Sequence, residues 1–139
     1  MCHALYLFTD KEIQERKFNK KNPCMFIWNV PPKERKTFSW LTGKRNVYYT
    51  GSSQGCGCGW GAWDDELDDD SEKLEKQKDR ESLFKLLTDL EDAHLIFCWK
   101  GDEAKELERE EILDIAKLKD ITFEFEDCVD YILKPLSNV

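Results

Sequence analysis

No apolar run in this chain approaches the ~20 residues that a bilayer-spanning helix needs, so no membrane segment is expected. The start, Met1-Cys2-His3-Ala4, lacks a basic region followed by an apolar stretch. No secretory leader is therefore expected, and a cytoplasmic setting follows. There the six cysteines should stay reduced rather than build a disulfide framework. They also lack the C-x-x-C spacing of zinc ribbons and thioredoxin-like motifs; the nearest approach is Cys56-Gly57-Cys58. No Lys-Ser or Lys-Thr follows a glycine loop, and no G-x-G-x-x-G opens a helix, so neither nucleotide fingerprint is present. Neither an internal repeat nor an interdomain linker is visible. The 139 residues (1–139) form one domain on size alone.

Charge is also absent from one long stretch. Residues 46–63, N-V-Y-Y-T-G-S-S-Q-G-C-G-C-G-W-G-A-W, carry none, in a chain that is 36% charged. The net charge of −8 is unevenly spread. Residues 11–45 hold ten Lys or Arg against three Glu, so the remainder must total −15. Overall acidity argues against a general DNA or RNA binder, and no duplex nucleic acid is expected as a partner. The basic segment 11–45 suits a small anion.

The apolar pattern predicts five strands. These are Ala4–Phe8, Cys24–Val30 stopped by Pro31-Pro32, Val47–Thr50, Leu95–Trp99 and the alternating Thr122–Glu126. Residues 130–133 continue or follow the last. Helices are predicted over about Ser71–Ala93, with Leu83, Leu86, Leu87 and Leu90 on one face, and over about Glu110–Leu118, burying Ile112, Leu113, Ile115 and Ala116. Asp69 and Glu72 make an aspartate version of a capping box at the first of these. The order argues α+β: one mixed or antiparallel sheet of about five strands with two helices. The run Asp64–Asp70 lacks the register of a calcium loop and reads as negative charge before a helix N-terminus.

Five of the seven glycines lie at 51, 55, 57, 59 and 61. Glycine permits positive φ and close approach but is costly to order. A ligand floor is the reading adopted for this stretch, with backbone N–H groups facing a phosphate and Trp60 and Trp63 stacking on a base. With it comes the expectation that Gly57→Ala leaves the unliganded fold as stable as before. If Met1 is removed, Cys2 carries a thiol and a free amine on one residue, the arrangement of an N-terminal nucleophile. His3 would point to the other face of a strand. Cys56 and Cys58 need two more ligands to close a tetrahedral site; Cys2, His3, Cys24 and His94 are available, but none shows a diagnostic spacing, so no metal is assigned. Cys98 and Cys128 read as core.

Two resemblances accompany these motifs. Met1-Cys2, Leu5-Tyr6, the Tyr-x-Gly-Ser strand end, the Gly-Cys-Gly-Cys-Gly loop and Cys98-Trp99-Lys100-Gly101-Asp102 together resemble a family of small bacterial and phage proteins, a resemblance that implies no function. Ala4-Leu5-Tyr6 and Tyr49-Thr50-Gly51-Ser52-Ser53 resemble the two motifs of GIY-YIG nucleases. That resemblance implies metal-dependent phosphodiester cleavage with Tyr6 and Tyr49 as site residues.

The expected function is binding, with cleavage left open, of a small phosphorylated or nucleotide-type ligand. Cys2, Tyr6 and Tyr49 are the candidate catalytic residues. Gly51, Ser52, Ser53, Gly55, Cys56, Gly57, Cys58, Trp60 and Arg45 are the candidate ligand contacts. The alternatives are an N-terminal-cysteine hydrolase acting on an amide or acyl substrate, and a Cys-ligated structural metal or protein-interaction module. The partner is a small anion, with no membrane; a homo-oligomer stays open, and no cofactor is named.

Overall fold

A computed structural model describes residues 2–38, 40, 43–61 and 69–134. One six-stranded mixed sheet organises them, in the order β2-β3-β1-β4-β6-β5. The strands are β1 (His3–Thr9), β2 (Phe26–Asn29), β3 (Asn46–Gly51), β4 (His94–Trp99), β5 (Arg109–Asp114) and β6 (Val129–Lys134). All pairings are antiparallel except β5 with β6. Two helices accompany them, the short α1 (Pro32–Arg35) and the long α2 (Asp70–Leu87), with 3-10 turns at Gly57–Trp60 and Ile115–Lys119. The α+β reading holds, with six strands rather than five. Among the described residues no helix is long and apolar enough to cross a membrane.

β1 is apolar throughout because both of its faces are covered. Successive side chains alternate across a strand, so Leu5 and Leu7 enter one core while Ala4, Tyr6 and Phe8 enter another. α2 covers the first face with Leu83 and Leu87, joined by Ile115, Leu118 and Trp60. The second face is closed by irregular chain that brings Phe38, Trp40 and Leu107. The Trp40 indole N–H donates to the Lys105 carbonyl at 2.8 Å.

α2 begins as its sequence indicates: the Asp69 carboxylate accepts from the Glu72 N–H at 2.9 Å. Its first half is solvated, with Leu74 exposed, and its second half buries Leu83 and Leu87. It stops six residues earlier than expected, in a turn where Asp92 takes φ 52°.

Two expectations near the C-terminal end are corrected. Residues 110–118 are not a helix but β5 followed by a 3-10 turn. Leu113, Ile115 and Leu118 are buried, while Ile112 and Ala116 are exposed. A strand running into a 3-10 turn yields apolar spacings that imitate a helix, and the Asp114 carboxylate caps the turn by accepting from the Ala116 N–H. Thr122–Glu126 is no strand, although Phe123 and Phe125 do pack inward. Its backbone is taken by side chains instead. The Phe123 carbonyl accepts from Arg80, and the Glu126 N–H donates to the Tyr131 hydroxyl.

Arg80 is the largest buried cation, with 1% exposure. Its guanidinium donates to the carbonyls of Trp60, Leu118, Asp120 and Phe123, and lies over the Phe123 and Phe125 rings. Burial pulls its pKa down to about 10, with Asp120 opposing, so it stays charged at neutral pH. Arg80→Met strands these acceptors, each worth about 1–3 kcal/mol when buried unpaired. Urea denaturation should show a loss of at least about 3 kcal/mol. Arg80→Lys should recover less than half of it, since an ammonium lacks the planar fork.

Candidate functional site

The antiparallel register of β1 and β3 sets Tyr6 directly opposite Tyr49 on the second face, with ring centroids 5.9 Å apart. The fold thus places side by side two of the candidate catalytic residues, Tyr6 and Tyr49. The sheet continues past β1 and β4, where the Lys100 N–H donates to the Cys2 carbonyl at 2.7 Å. This aims Lys100 at the tyrosines. Its ammonium lies 3.4 Å from the Tyr6 hydroxyl and 5.9 and 5.3 Å from the Tyr6 and Tyr49 ring centroids. The Tyr6 hydroxyl donates to Glu103 Oε1 at 2.8 Å, and Glu103 Oε2 accepts from the Gly101 N–H at 2.8 Å. A cavity of about 260 Å³ opens here, walled by Tyr6, Trp28, Phe38, Glu34, Lys100 and Glu103.

Both phenols are held protonated. Burial, then the Glu103 bond and charge, push Tyr6 well above the usual phenol range. Burial lifts Tyr49 to about 12, against the Gly57 N–H donated to its oxygen. Neither is a base at neutral pH. Each offers a polar edge and an electron-rich face.

Beside Tyr49 the chain gathers three thiols. The sulfurs of Cys2, Cys56 and Cys58 lie within 4.8 Å of one another, Cys2 exposed and the other two half-buried. Burial opposes ionisation of Cys58. Hydrogen bonds from the His3 N–H (3.3 Å) and from the Cys56 and Cys2 thiols outweigh it, and the Cys58 pKa falls below the usual thiol value. Burial, with donation toward Cys58, raises Cys56 to about 11. The sequence offered Cys2 only as one of several unranked partners for the C-x-C. Pairing of distant segments is what selects it.

The glycine-rich stretch is packed rather than open. A Cβ on Gly57 would stand 2.3 Å from the His3 carbonyl oxygen, and one on Gly59 would stand 2.1 Å from Ser52 Oγ. At Gly51 a Cβ would strike the Phe26 ring at 1.9 Å. Gly55 is needed for its φ of 86°. Trp60 is fully buried and donates to the Thr50 carbonyl at 2.9 Å, so its ring is not free to stack. Ser52 donates to the Cys56 carbonyl at 2.7 Å, and Ser53 to Asp79 at 2.8 Å. Arg45 does not join them. It is exposed at the far end of β3, roughly 20 Å along the strand from Gly51 at ~3.3 Å per residue. Trp63 and the acidic run as far as Asp68 lie outside the described residues. Glu103, Trp28 and Phe38 carried no motif that would have flagged them, and Lys100 entered only as the variable position of the Cys98–Asp102 motif, with no role attached.

The expectation that Gly57→Ala spares the unliganded fold is therefore reversed. A thermal melt should show Gly57→Ala destabilised by about 1–3 kcal/mol, the usual cost of overpacking. Gly61→Ala should be nearly neutral, because its nearest neighbour would be the Cys58 carbonyl at 3.4 Å. In reduced, chelator-treated protein, iodoacetamide labelling resolved by peptide mass should reach half-maximum at lower pH for Cys58 than for Cys56. Against burial, hydrogen bonds to its sulfur hold Cys58 below the usual thiol value, while burial lifts Cys56 to about 11. Cys98, buried and shifted upward by desolvation, should label last.

Set against known protein families, curated proteins and solved structures, the chain matches none of them, and its functional reading rests on its own geometry.

Proposed function

We propose that this chain binds a small anionic ligand carrying a ring, in the cavity between Tyr6, Trp28, Phe38 and Lys100. One observation carries the reading. The Lys100 ammonium stands at this cavity over two tyrosine faces, and among the described residues no carboxylate lies within ion-pair distance of it. Glu103 is occupied by Tyr6 and Gly101. Glu34 is solvent-exposed, where its charge is screened by a high dielectric. An incoming anion would give Lys100 a direct ion pair, where the Glu103 carboxylate reaches it only through the Tyr6 hydroxyl, and the Trp28 and Phe38 rings would flank an aromatic group.

The cavity, about 260 Å³, is smaller than most ligand pockets, which hold ~300–1,000 Å³. It suits a single ring with one anionic group, the size of an aryl phosphate or part of a mononucleotide. The protonated phenols fit hydrogen bonding to such a ligand. They do not serve as bases for its cleavage, so the reading is one of binding.

The test is titration of the chain with phenyl phosphate, AMP and benzylamine, followed by calorimetry and tryptophan fluorescence. The two phosphates should bind and the amine should not. Lys100→Met should weaken binding about tenfold, or ~1.4 kcal/mol, with an unchanged melt. Binding of the amine in preference, or phosphate binding indifferent to Lys100→Met, would sink the reading.

A further inference from the structure

The three thiols beside Tyr49 form a cluster that is not part of the lining of the ligand cavity. They arrive from two directions: Cys2 from the start of β1, Cys56 and Cys58 from the loop that follows β3. Three thiolates bonded to a tetrahedral zinc ion at about 2.3 Å stand about 3.8 Å apart. The observed separations, all within 4.8 Å, need only a small contraction to match. We propose that Cys2, Cys56 and Cys58 bind one zinc(II) ion through three thiolates, leaving its fourth position toward solvent.

Backbone hydrogen bonds orient one of these sulfurs and fix the loop that carries two of them. The His3 N–H points at Cys58 Sγ, the kind of donor that orients a ligating thiolate and offsets its charge. The Cys56 carbonyl is pinned by the Ser52 N–H and hydroxyl. The residue between the two cysteines is clamped as well, since the Gly57 N–H donates to Tyr49 and its Cα faces the His3 carbonyl. The environment is unlike that of a core cysteine. Free cysteines in proteins are mostly buried as small hydrophobes, as Cys98 and Cys128 are here. Three partly open thiols meeting at one point fit a ligand set better than packing.

The fourth position stays open on the geometry available. No further His, Cys, Asp or Glu atom joins the three among the described residues. The His3 ring lies against Phe97 and Trp99 and near Asp127, His94 is bonded to Asp130, and Cys24 lines a cavity beside α2. Three thiols would release three protons as zinc enters, giving a three-thiolate complex with net charge −1. Zinc accepts a water in the remaining position and favours a tetrahedron. Sulfur donors disfavour magnesium and calcium.

The experiment is anaerobic titration of the reduced, chelator-stripped chain with cobalt(II), followed by zinc competition. One equivalent should bind per chain, with a thiolate-to-cobalt charge-transfer band and d–d bands of tetrahedral intensity, and zinc should abolish both. Cys2→Ser, Cys56→Ser and Cys58→Ser should each cost about 100-fold or more in zinc affinity, because losing even a group that only hydrogen-bonds a ligand costs ~10–100-fold. Cys24→Ser should bind as wild type. Circular dichroism reports the fold of each variant, and Cys2→Ser, at an exposed position, keeps the test decisive if the loop variants unfold. No cobalt uptake by the wild type, a six-coordinate spectrum, full affinity in Cys2→Ser, or copper(I) uptake without zinc or cobalt uptake would each overturn the site.

Discussion

A guanidinium held by carbonyl oxygens ties the parts of this fold together. Burying a cation without a carboxylate partner is costly, and Arg80 meets that cost with a planar fork whose donors reach three separate segments. One of them is the end of the 3-10 turn at Trp60. Another is the 3-10 turn after β5, and the third is the loop carrying Phe123. None of these has a strand neighbour to satisfy its backbone at those carbonyls. Without Arg80, the loop that presents Cys56 and Cys58 would lose one of its anchors. The interaction is structural, yet it reaches the end of the sheet where the thiols gather.

The second constraint is the position of β1. A strand with neighbours on both sides and cover on both faces needs two cores, and the chain fills them differently. α2 supplies aliphatic cover on one side. On the other, Tyr6 meets Phe38 and Tyr49 edge-on while Trp28 stacks on Tyr49, and a cavity opens between them. That asymmetry puts both candidate sites on the aromatic face and its end, where β1 and β4 run out and Cys2 meets Lys100.

Much of the architecture was legible. Apolar runs flanked by proline, glycine or charge marked β1 to β4, and Asp69 marked the start of α2. The C-terminal third was not, because β5 and its 3-10 turn produce apolar spacings that a helix would also produce. Phe123 and Phe125 alternate as strand residues do, but Arg80 and Tyr131 take the hydrogen bonds that a neighbouring strand would have taken.

The sequence by itself determined that residues 51–61 needed glycine, that Tyr6 and Tyr49 lie within apolar strands, and that Cys56 and Cys58 sit two apart. It did not decide what any of these meet. Glycine signals close approach without naming the neighbour. Here the neighbours are the His3 backbone, Ser52 and Phe26, not a ligand. Antiparallel pairing across some forty residues set Tyr6 against Tyr49, and the same pairing carried Cys2 to the C-x-C. Lys100 and Glu103 acquired their setting only when the end of β4 folded back beside β1. Contacts of that range depend on register, and register is decided by the whole sheet at once.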